Sequence, residues 1–482
     1  MKSTFPLLIP VLAFLSFPHA AGSQSLAAVD SYFVKSPTAI RTEVNGTQIS
    51  SDFPLFNRIV SRNTGTPASG ISLDGRDNPS VLDAYGMNFT GSVYMNQTTL
   101  RAPVDFSLCD FQLPFTCQSA SFKDVALFSW ARFRDNVLFS RTDFSKGAQF
   151  LRVAFDSAVS FKFSRYDSNA FYYGSFFRNH VSFNDSRFMK NAAFGFTEFE
   201  KSATFNRTEF LGDALFNFAQ FGEGADFSNT RFDTRADFSN AVVTGTLDFN
   251  GAHLPLFLDM SHMRDIKGTV ELMKASSSKE SGICRINLLN SDITKFNLDY
   301  DKFRLYFPPN TTFDEKVSVY EDLLENFKQR ELDDSYRELD IEFSQFKYKE
   351  KKQSATNLIQ KVWWNYGYDK NMIFSWIFWI ILFFTVINTF FIRKLITAIT
   401  EMPFLSRKTV EKNHLHHPII AYFLNFPGTF LYTFILIVSG STGLSIIKDH
   451  SKIPNVVWML YMIILSIVGT GLSIFIFNYI IN

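Results

Sequence analysis

Large aromatic residues recur at a fixed spacing along the first half of the chain and are separated by polar residues. From Phe106 to Phe249 they fall alternately five and six residues apart, so two interleaved series each have a period of eleven. So short a unit can bury its aromatic side chain only by stacking on its neighbours, which predicts a solenoid. The ladder that we expect inside it includes Phe122, Phe128, Phe133, Phe139, Phe144, Phe150, Phe155, Phe161, Phe177, Phe183, Phe188, Phe194, Phe199, Phe205, Phe210, Phe216, Phe221, Phe227, Phe232 and Phe238.

A second row of small residues accompanies the aromatic residues. Ala126 precedes Phe128 by two positions, and Ala203 precedes Phe205 in the same way. A spacing of two places both side chains on one side of an extended segment. Small residues beside large ones allow close packing inside a narrow tube, and the intervening Asn, Asp and Ser residues favour turns. The pattern therefore predicts an all-β solenoid with an aromatic interior.

The chain resembles the pentapeptide-repeat family, most closely at 225–232 (ADFSNTRF) and 235–241 (RADFSNA). The resemblance covers roughly 82–254, in the Phe-centred variant that adds one residue to every second repeat. It implies a right-handed, quadrilateral β-solenoid with two eleven-residue units in each coil. At ~4.8 Å per coil and about eight coils, the rod would be roughly 40 Å long.

The segments that flank the solenoid have other compositions. Residues 24–81 are polar and would form an N-terminal cap, while 255–312 keep a weaker apolar alternation that suits degenerate coils and a C-terminal cap. In 313–371 apolar residues recur at helical spacing opposite a charged face, which predicts an amphipathic helical coupler.

The C-terminal residues 372–482 are predicted to form a membrane domain. Three stretches without charged residues are long enough to span a bilayer, at 372–392, 418–447 and 456–481. The connector 393–417 holds five basic residues and two acidic ones, and the positive-inside rule places it in the cytoplasm. Such helices could also serve as an oligomer interface.

The first 23 residues favour a secretory signal peptide, because Lys2 is followed by an apolar run and then by small residues. An uncleaved anchor is the alternative and gives the same sidedness. Together with the basic connector, this segment predicts a multi-pass protein of the cytoplasmic (inner) membrane. The solenoid would then lie on the periplasmic or extracellular side.

The charge of the chain bears on nucleic-acid binding, and its cysteine content bears on disulfide formation. The net charge is +1, and residues 82–254 hold 18 acidic against 16 basic residues, so we expect no nucleic-acid binding. Cys109 and Cys117 lie close enough along the chain for a disulfide, and three separate buried cysteines, with Cys284, are the alternative.

No constellation of catalytic residues is recognisable, so we expect neither an enzyme nor a bound cofactor. His414, His416 and His417 form a cluster without acidic or cysteine partners, which suits a solvated basic connector better than a metal site.

The layout of a coupler followed by membrane helices resembles pentapeptide-repeat proteins that carry a potassium-channel-like module. Ser441, Thr442 and Gly443 would then form a degenerate selectivity filter. They lack the second glycine and the aromatic residue of a T-V-G-Y-G filter, whose carbonyl groups replace the water of the ion.

Two functions follow from these features. The preferred hypothesis is a membrane-anchored, extracytoplasmic solenoid that acts as a protein-interaction or scaffolding module, with a protein partner on its surface. The alternative is an ion-channel-like protein whose degenerate pore is gated or sensed through the solenoid.

Overall fold

A computed structural model of the chain describes residues 68–277, 282–369, 371–396, 405–438 and most of 460–474. The chain divides between Leu332 and Asp333 into two compact units. The predicted signal peptide at 1–23, the greater part of the N-terminal segment and the proposed filter at Ser441, Thr442 and Gly443 lie outside the described residues.

The first unit is a parallel β-solenoid of about ten coils. Through most of the solenoid a strand pairs with the strands 22 residues before and after it, as Val159 does with Val137 and Val181. Two eleven-residue units therefore make one coil. Four short strands per coil are sorted into four parallel sheets, which we number 1 to 4 in the order in which the chain enters them.

The strands of the four sheets have the following bounds. Sheet 1 contains Ile71–Ser72, Val93–Tyr94, Phe115–Thr116, Val137–Leu138, Val159–Ser160, Val181–Ser182, Ala203–Thr204, Gly224–Asp226, Thr246–Asp248, Val270–Glu271 and Phe296–Asn297. Sheet 2 contains Asp77–Asn78, Thr99–Leu100, Ser121–Phe122, Asp143–Phe144, Arg165–Tyr166, Arg187–Phe188, Glu209–Phe210, Arg231–Phe232, His253–Leu254 and Ser276–Ser277. Sheet 3 contains Leu82–Asp83, Val104–Asp105, Ala126–Leu127, Ala148–Gln149, Ala170–Phe171, Ala192–Ala193, Ala214–Leu215, Arg235–Asp237, Phe257–Asp259, Cys284–Asn287 and Phe303–Leu305. Sheet 4 contains Asn88–Phe89, Asp110–Phe111, Arg132–Phe133, Ala154–Phe155, Phe176–Phe177, Glu198–Phe199, Gln220–Phe221 and Val242–Val243.

Aromatic side chains fill the interior in four columns, one beside each sheet. All twenty phenylalanines of the expected ladder are at most 1% exposed. The ring of Phe194 stacks on those of Tyr172 and Phe216, with centroid distances of 4.8 Å on both sides. It also meets Phe183 and Phe205 of the neighbouring column edge to face. Offset stacking along a column and T-shaped contacts between columns are the two favourable geometries for aromatic pairs.

Many buried polar groups inside the solenoid are bonded to other coils or to each other. Small hydroxyl residues donate to the carbonyl group 25 residues earlier, as Thr208 does to Phe183 at 2.8 Å. The two tyrosines that replace phenylalanine in the core, Tyr166 and Tyr172, share a hydrogen bond of 2.7 Å between their hydroxyl groups. These bonds avoid the cost of buried polar groups without partners.

Cys109 and Cys117 are separate buried thiols, so the disulfide alternative is wrong. Cys109 takes the place of a hydroxyl residue in the ladder of bonds to earlier coils, and its Sγ donates to the carbonyl of Ala84 at 2.9 Å. Cys117 occupies an aromatic column. Burial raises the pKa of both thiols, and it raises the pKa of Cys284 to about 12.

The solenoid extends beyond the range that the aromatic period marks. It begins at Ile71, before residue 82, and its last strand ends at Leu305. After residue 254 the spacing becomes irregular, since Leu258 pairs with Ile286. Helix α1, Phe313–Gln329, belongs to this same unit.

Helix α1 covers the last coils of the solenoid. It begins with a capping box between Thr312 and Glu315. Asn326 donates to the carbonyl of Ile293 at 2.9 Å, and the ring of Phe327 lies 6.0 Å from that of Tyr300. The first helix of the expected coupler therefore caps the solenoid.

The second unit is helical. Its helices are α2 (Asp333–Glu350), α3 (Ser354–Trp364), α4 (Asn371–Leu395), α5 (Arg407–Asn413) and α6 (Pro418–Val438). Short 3-10 helices lie at Asn365–Gly367 here and at Ile293–Lys295 and Tyr300–Lys302 in the first unit.

Within the described residues, two helical segments are long and apolar enough to cross a membrane, Asn371–Arg393 and Pro418–Ile435. They correspond to the first two predicted spans. In the third, at 456–481, a shorter apolar helix lies at Ile463–Leu472, and most of the rest of this stretch lies outside the described residues.

Candidate functional site

The aromatic ladder is a structural core and is closed to any partner, because its side chains are buried. A functional site on the solenoid must therefore use outward-facing residues. Among the described residues there is no group of three or more His, Cys, Asp or Glu side chains that could hold a metal ion.

The turns between sheets 3 and 4, which we call one corner of the solenoid, carry exposed apolar side chains in several coils, while Arg152 and Gly174 occupy the same position in the two coils between Trp130 and Phe196. Trp130 is 37% exposed, Phe196 38% and Phe218 42%. Large apolar side chains seldom form long exposed rows on a solenoid surface without a partner. We define the aromatic corner as Leu108, Trp130, Arg152, Tyr173, Phe196 and Phe218.

The side chains of the aromatic corner contact each other along the solenoid. The guanidinium group of Arg152 lies 4.9 Å from the ring centroid of Trp130. The ring of Phe196 lies 5.3 Å from that of Tyr173 on one side and is stacked at 4.5 Å on that of Phe218 on the other. Burial raises the pKa of Tyr173 to about 12, against the opposing effect of Arg152, so this hydroxyl stays neutral at physiological pH.

The backbone of the corner is unusual for such large residues. One residue in every eleven has a positive φ, and at this corner Trp130, Phe196 and Phe218 have φ values of 64°, 54° and 58°. Left-handed backbone costs roughly 1–2 kcal/mol for a residue with a side chain, and for bulky residues it is rare. Strained residues often mark functional sites, so the observation directs attention to this corner.

Two glycines make room for the row of side chains. A Cβ atom on Gly195 would come within 3.2 Å of the Tyr173 ring. One on Gly174, which has a φ of +66°, would come within 3.3 Å of Arg152. The glycines thus let the corner side chains lie close against the backbone.

The adjacent surface extends the apolar character of the corner. Sheet 3 has apolar residues at outward positions in its middle coils, and Phe176 of sheet 4 is 41% exposed beside the corner. Acidic residues bound this surface at both ends of sheet 3. At the C-terminal end burial raises the pKa of Asp237, although Arg235 donates to it at 2.7 Å. The outward apolar residues of sheet 3 are Leu127, Phe171 and Leu215, of which Leu127 and Leu215 are at most 7% exposed, and Leu151 lies in the turn that follows the strand Ala148–Gln149.

Charged residues on the other faces are largely paired with one another. Arg134 binds Asp110 at 2.8 Å, and Arg207 binds Asp185 at 2.7 Å, each linking neighbouring coils. Exposed ion pairs of this kind contribute little to stability. Because the paired charges cancel, these faces have no strong electrostatic potential of one sign. The apolar corner is therefore the feature that distinguishes one side of the solenoid.

The sequence contains a signal for this corner that the aromatic period alone does not reveal. A second large residue follows the core phenylalanine by two positions in coils spaced by multiples of 22 residues. The pairs are Phe106 and Leu108, Phe128 and Trp130, Phe194 and Phe196, and Phe216 and Phe218.

Comparison with known proteins agrees with this architecture. Residues 205–253 match the family model for pentapeptide repeats (9 copies). The matched segment lies within the solenoid, whose 22-residue register continues on its N-terminal side to Ile71. No curated protein and no solved structure matches the chain. The family match accounts for the repeat and offers no support for a potassium-channel-like module.

We predict that Phe218→Asn changes the free energy of unfolding by less than about 1 kcal/mol. Loss of one exposed ring contact is offset by relief of strain, because asparagine tolerates the left-handed region. The same substitution two residues earlier, Phe216→Asn, should cost ~3–5 kcal/mol, since it empties part of a buried column. Urea unfolding of the two variants measures the difference, and equal losses would show that Phe218 is part of the core.

Proposed function

We propose that the chain is a membrane-anchored scaffold whose pentapeptide-repeat solenoid binds a protein partner along the aromatic corner. The observation that carries this proposal is the row from Trp130 to Phe218 over five consecutive coils, in which Trp130, Phe196 and Phe218 are exposed while Tyr173 is only 7% exposed. At ~4.8 Å per coil the row is about 19 Å long. Aromatic residues and arginine are the side chains most enriched at the energetic centres of protein interfaces.

The geometry of the rings favours a protein over a carbohydrate. Phe196 is contacted by Tyr173 and Phe218 on its two sides, and Arg152 lies over the Trp130 ring. Because rings stacked along the solenoid present their edges outward, their faces are not open to a sugar ring. Ring edges instead suit apolar side chains of a partner.

The charge distribution also favours a protein partner. Neither a basic groove nor an aromatic platform with open faces accompanies the corner, so a nucleic-acid partner is not expected. The described residues offer no recognisable catalytic constellation either, and we propose binding without an enzymatic reaction or cofactor.

The apolar helices supply the anchor. We propose that α4 and α6 span the inner membrane in a multi-pass arrangement, with the basic connector in the cytoplasm and the solenoid on the periplasmic or extracellular side. The signal-like N-terminus and the connector support this orientation. We also propose that the solenoid is right-handed and quadrilateral, as its resemblance to the pentapeptide-repeat family implies.

We predict that a photo-crosslinking amino acid at Trp130 captures a discrete protein partner in native membranes. The crosslinked band should disappear when Phe196→Asn and Phe218→Asn are combined, because the adjoining ring edges are lost while the core is kept. Protease digestion of the adduct identifies the captured species as protein, and a protease-resistant glycan adduct would contradict the proposal.

The matched control places the same photo-crosslinking amino acid at Lys190, which is exposed in a nearby coil away from the aromatic corner. This position should give no such band. Identical bands from both positions, insensitive to the double substitution, would mean that the corner is not the binding surface.

The orientation is tested with single cysteines at two exposed positions, Thr234→Cys in the solenoid and Lys408→Cys in the connector. An impermeant maleimide should label position 234 in intact cells and position 408 only after permeabilisation. The native cysteines give little background because they are buried with raised pKa values. The reverse pattern would place the solenoid in the cytoplasm.

A further inference from the structure

Buried polar side chains run through the interface between α4 and α6, although both helices are otherwise apolar. Asn388 donates to the hydroxyl of Thr433 at 2.8 Å, and Thr389 is hydrogen-bonded to Thr429. All four side chains are at most 3% exposed. Because residue numbers rise along one helix and fall along the other, the antiparallel register continues to Arg393 at the level of Asn425.

At this level, only the oxygen of the Asn425 side-chain amide has a hydrogen-bond partner. It is 3% exposed, and its Oδ1 accepts a hydrogen bond from Asn413 Nδ2 at 2.8 Å. Its Nδ2 is buried and has no partner among the described residues. A buried amide donor without an acceptor is costly, so such groups usually meet a ligand or water.

A second buried polar atom without a partner lies on the residue next to Asn413. His414 follows Asn413 directly at the end of α5, and its Nε2 is also buried without a partner among the described residues. Burial and the nearby charge of Arg393 lower the pKa of His414, so a neutral imidazole can present an N–H group. Arg393 adds an exposed guanidinium group at the end of the apolar segment of α4.

We infer that Arg393, His414 and Asn425 form a binding site for a phosphate group where α4, α5 and α6 meet. A guanidinium and two neutral N–H donors complement phosphate oxygens, and Arg is well suited to phosphate. The ligand chemistry is a phosphate ester or free phosphate. Basic sites between membrane helices on the cytoplasmic side commonly bind anionic lipid headgroups, so an anionic phospholipid is the favoured source.

This inference rests on the proposed membrane anchoring, which is tested separately by flotation of the full-length protein with vesicles. If the protein and all variants fail to float, the proposed function fails. If they float but show no selectivity for phosphate, the site alone is refuted.

The site is tested by thermal unfolding of the purified full-length protein in detergent, titrated with phosphatidylglycerol, with phosphatidylcholine or with inorganic phosphate. Phosphatidylglycerol should raise the melting temperature at lower concentration than phosphatidylcholine. Stabilisation by inorganic phosphate equal to that by the lipid would assign the site to soluble phosphate. No preference for either anion over phosphatidylcholine would overturn the inference.

Two variants test whether Asn425 and Arg393 bind the phosphate group. Asn425→Asp keeps an acceptor for Asn413 and replaces the unused donor by a negative oxygen, while Arg393→Gln removes the charge. Each should weaken binding of phosphatidylglycerol by about tenfold or more, because a charge-assisted hydrogen bond is lost.

The matched control is Arg407→Gln, which makes the same charge change at an exposed residue paired with Glu411 at 2.8 Å. It should leave the affinity for phosphatidylglycerol unchanged. A loss equal to that of Arg393→Gln would show that the connector attracts anionic lipid only through its overall charge. Melting temperatures in phosphatidylcholine establish that each variant is folded, and the milder His414→Gln substitution, which retains a donor, should preserve lipid selectivity.

Discussion

Stacking between the rings of consecutive coils is the interaction on which the rest of the structure depends. Strands of two or three residues carry too few hydrogen bonds to fix a register on their own. Because Phe194 must lie over Tyr172 and under Phe216, each coil is held to 22 residues. Each stacked pair contributes roughly 0.5–1.5 kcal/mol beyond the burial of apolar area, and the contribution recurs in four columns. The core is therefore distributed along the whole solenoid.

The same 22-residue register also determines which residues lie in a row on the outer surface of the solenoid. Once the coil length is fixed, any residue type repeated at 22-residue spacing forms a row on one side, and the aromatic corner is such a row. Its large residues occupy left-handed turn positions that Asn229 and Asn240 fill elsewhere in the repeat. Folding alone would favour asparagine or glycine there, so the stability of the turn does not explain Trp130 and Phe218. The solenoid therefore places the side chains of this row at distances set by the number of coils between them.

The sequence was sufficient to predict a β-solenoid with a buried aromatic ladder, because a period of eleven leaves few ways to bury so many rings. It underestimated the number of coils, since Leu100 and Leu272 fill the columns at the ends as well as phenylalanine does. The eleven-residue period alone does not reveal the aromatic corner, because successive units of eleven residues alternate between two corners and only the 22-residue coil shows which large residues are neighbours. The pairing of Asn388 with Thr433 depends on how two helices pack, which residue spacing within one helix does not determine.

The most direct test of the central claim compares two deletions by thermal unfolding of the full-length protein. Removal of residues 181–202 takes out one complete coil and joins His180 to Ala203, so that Ala203 inherits the register of Val181. Removal of residues 184–202 deletes three fewer residues but shifts every later ring out of its column. We expect the larger deletion to keep a cooperative transition close to that of the intact protein and the smaller deletion to abolish it. Equal tolerance of both deletions, or greater damage from the larger one, would contradict a core held in register by stacked rings.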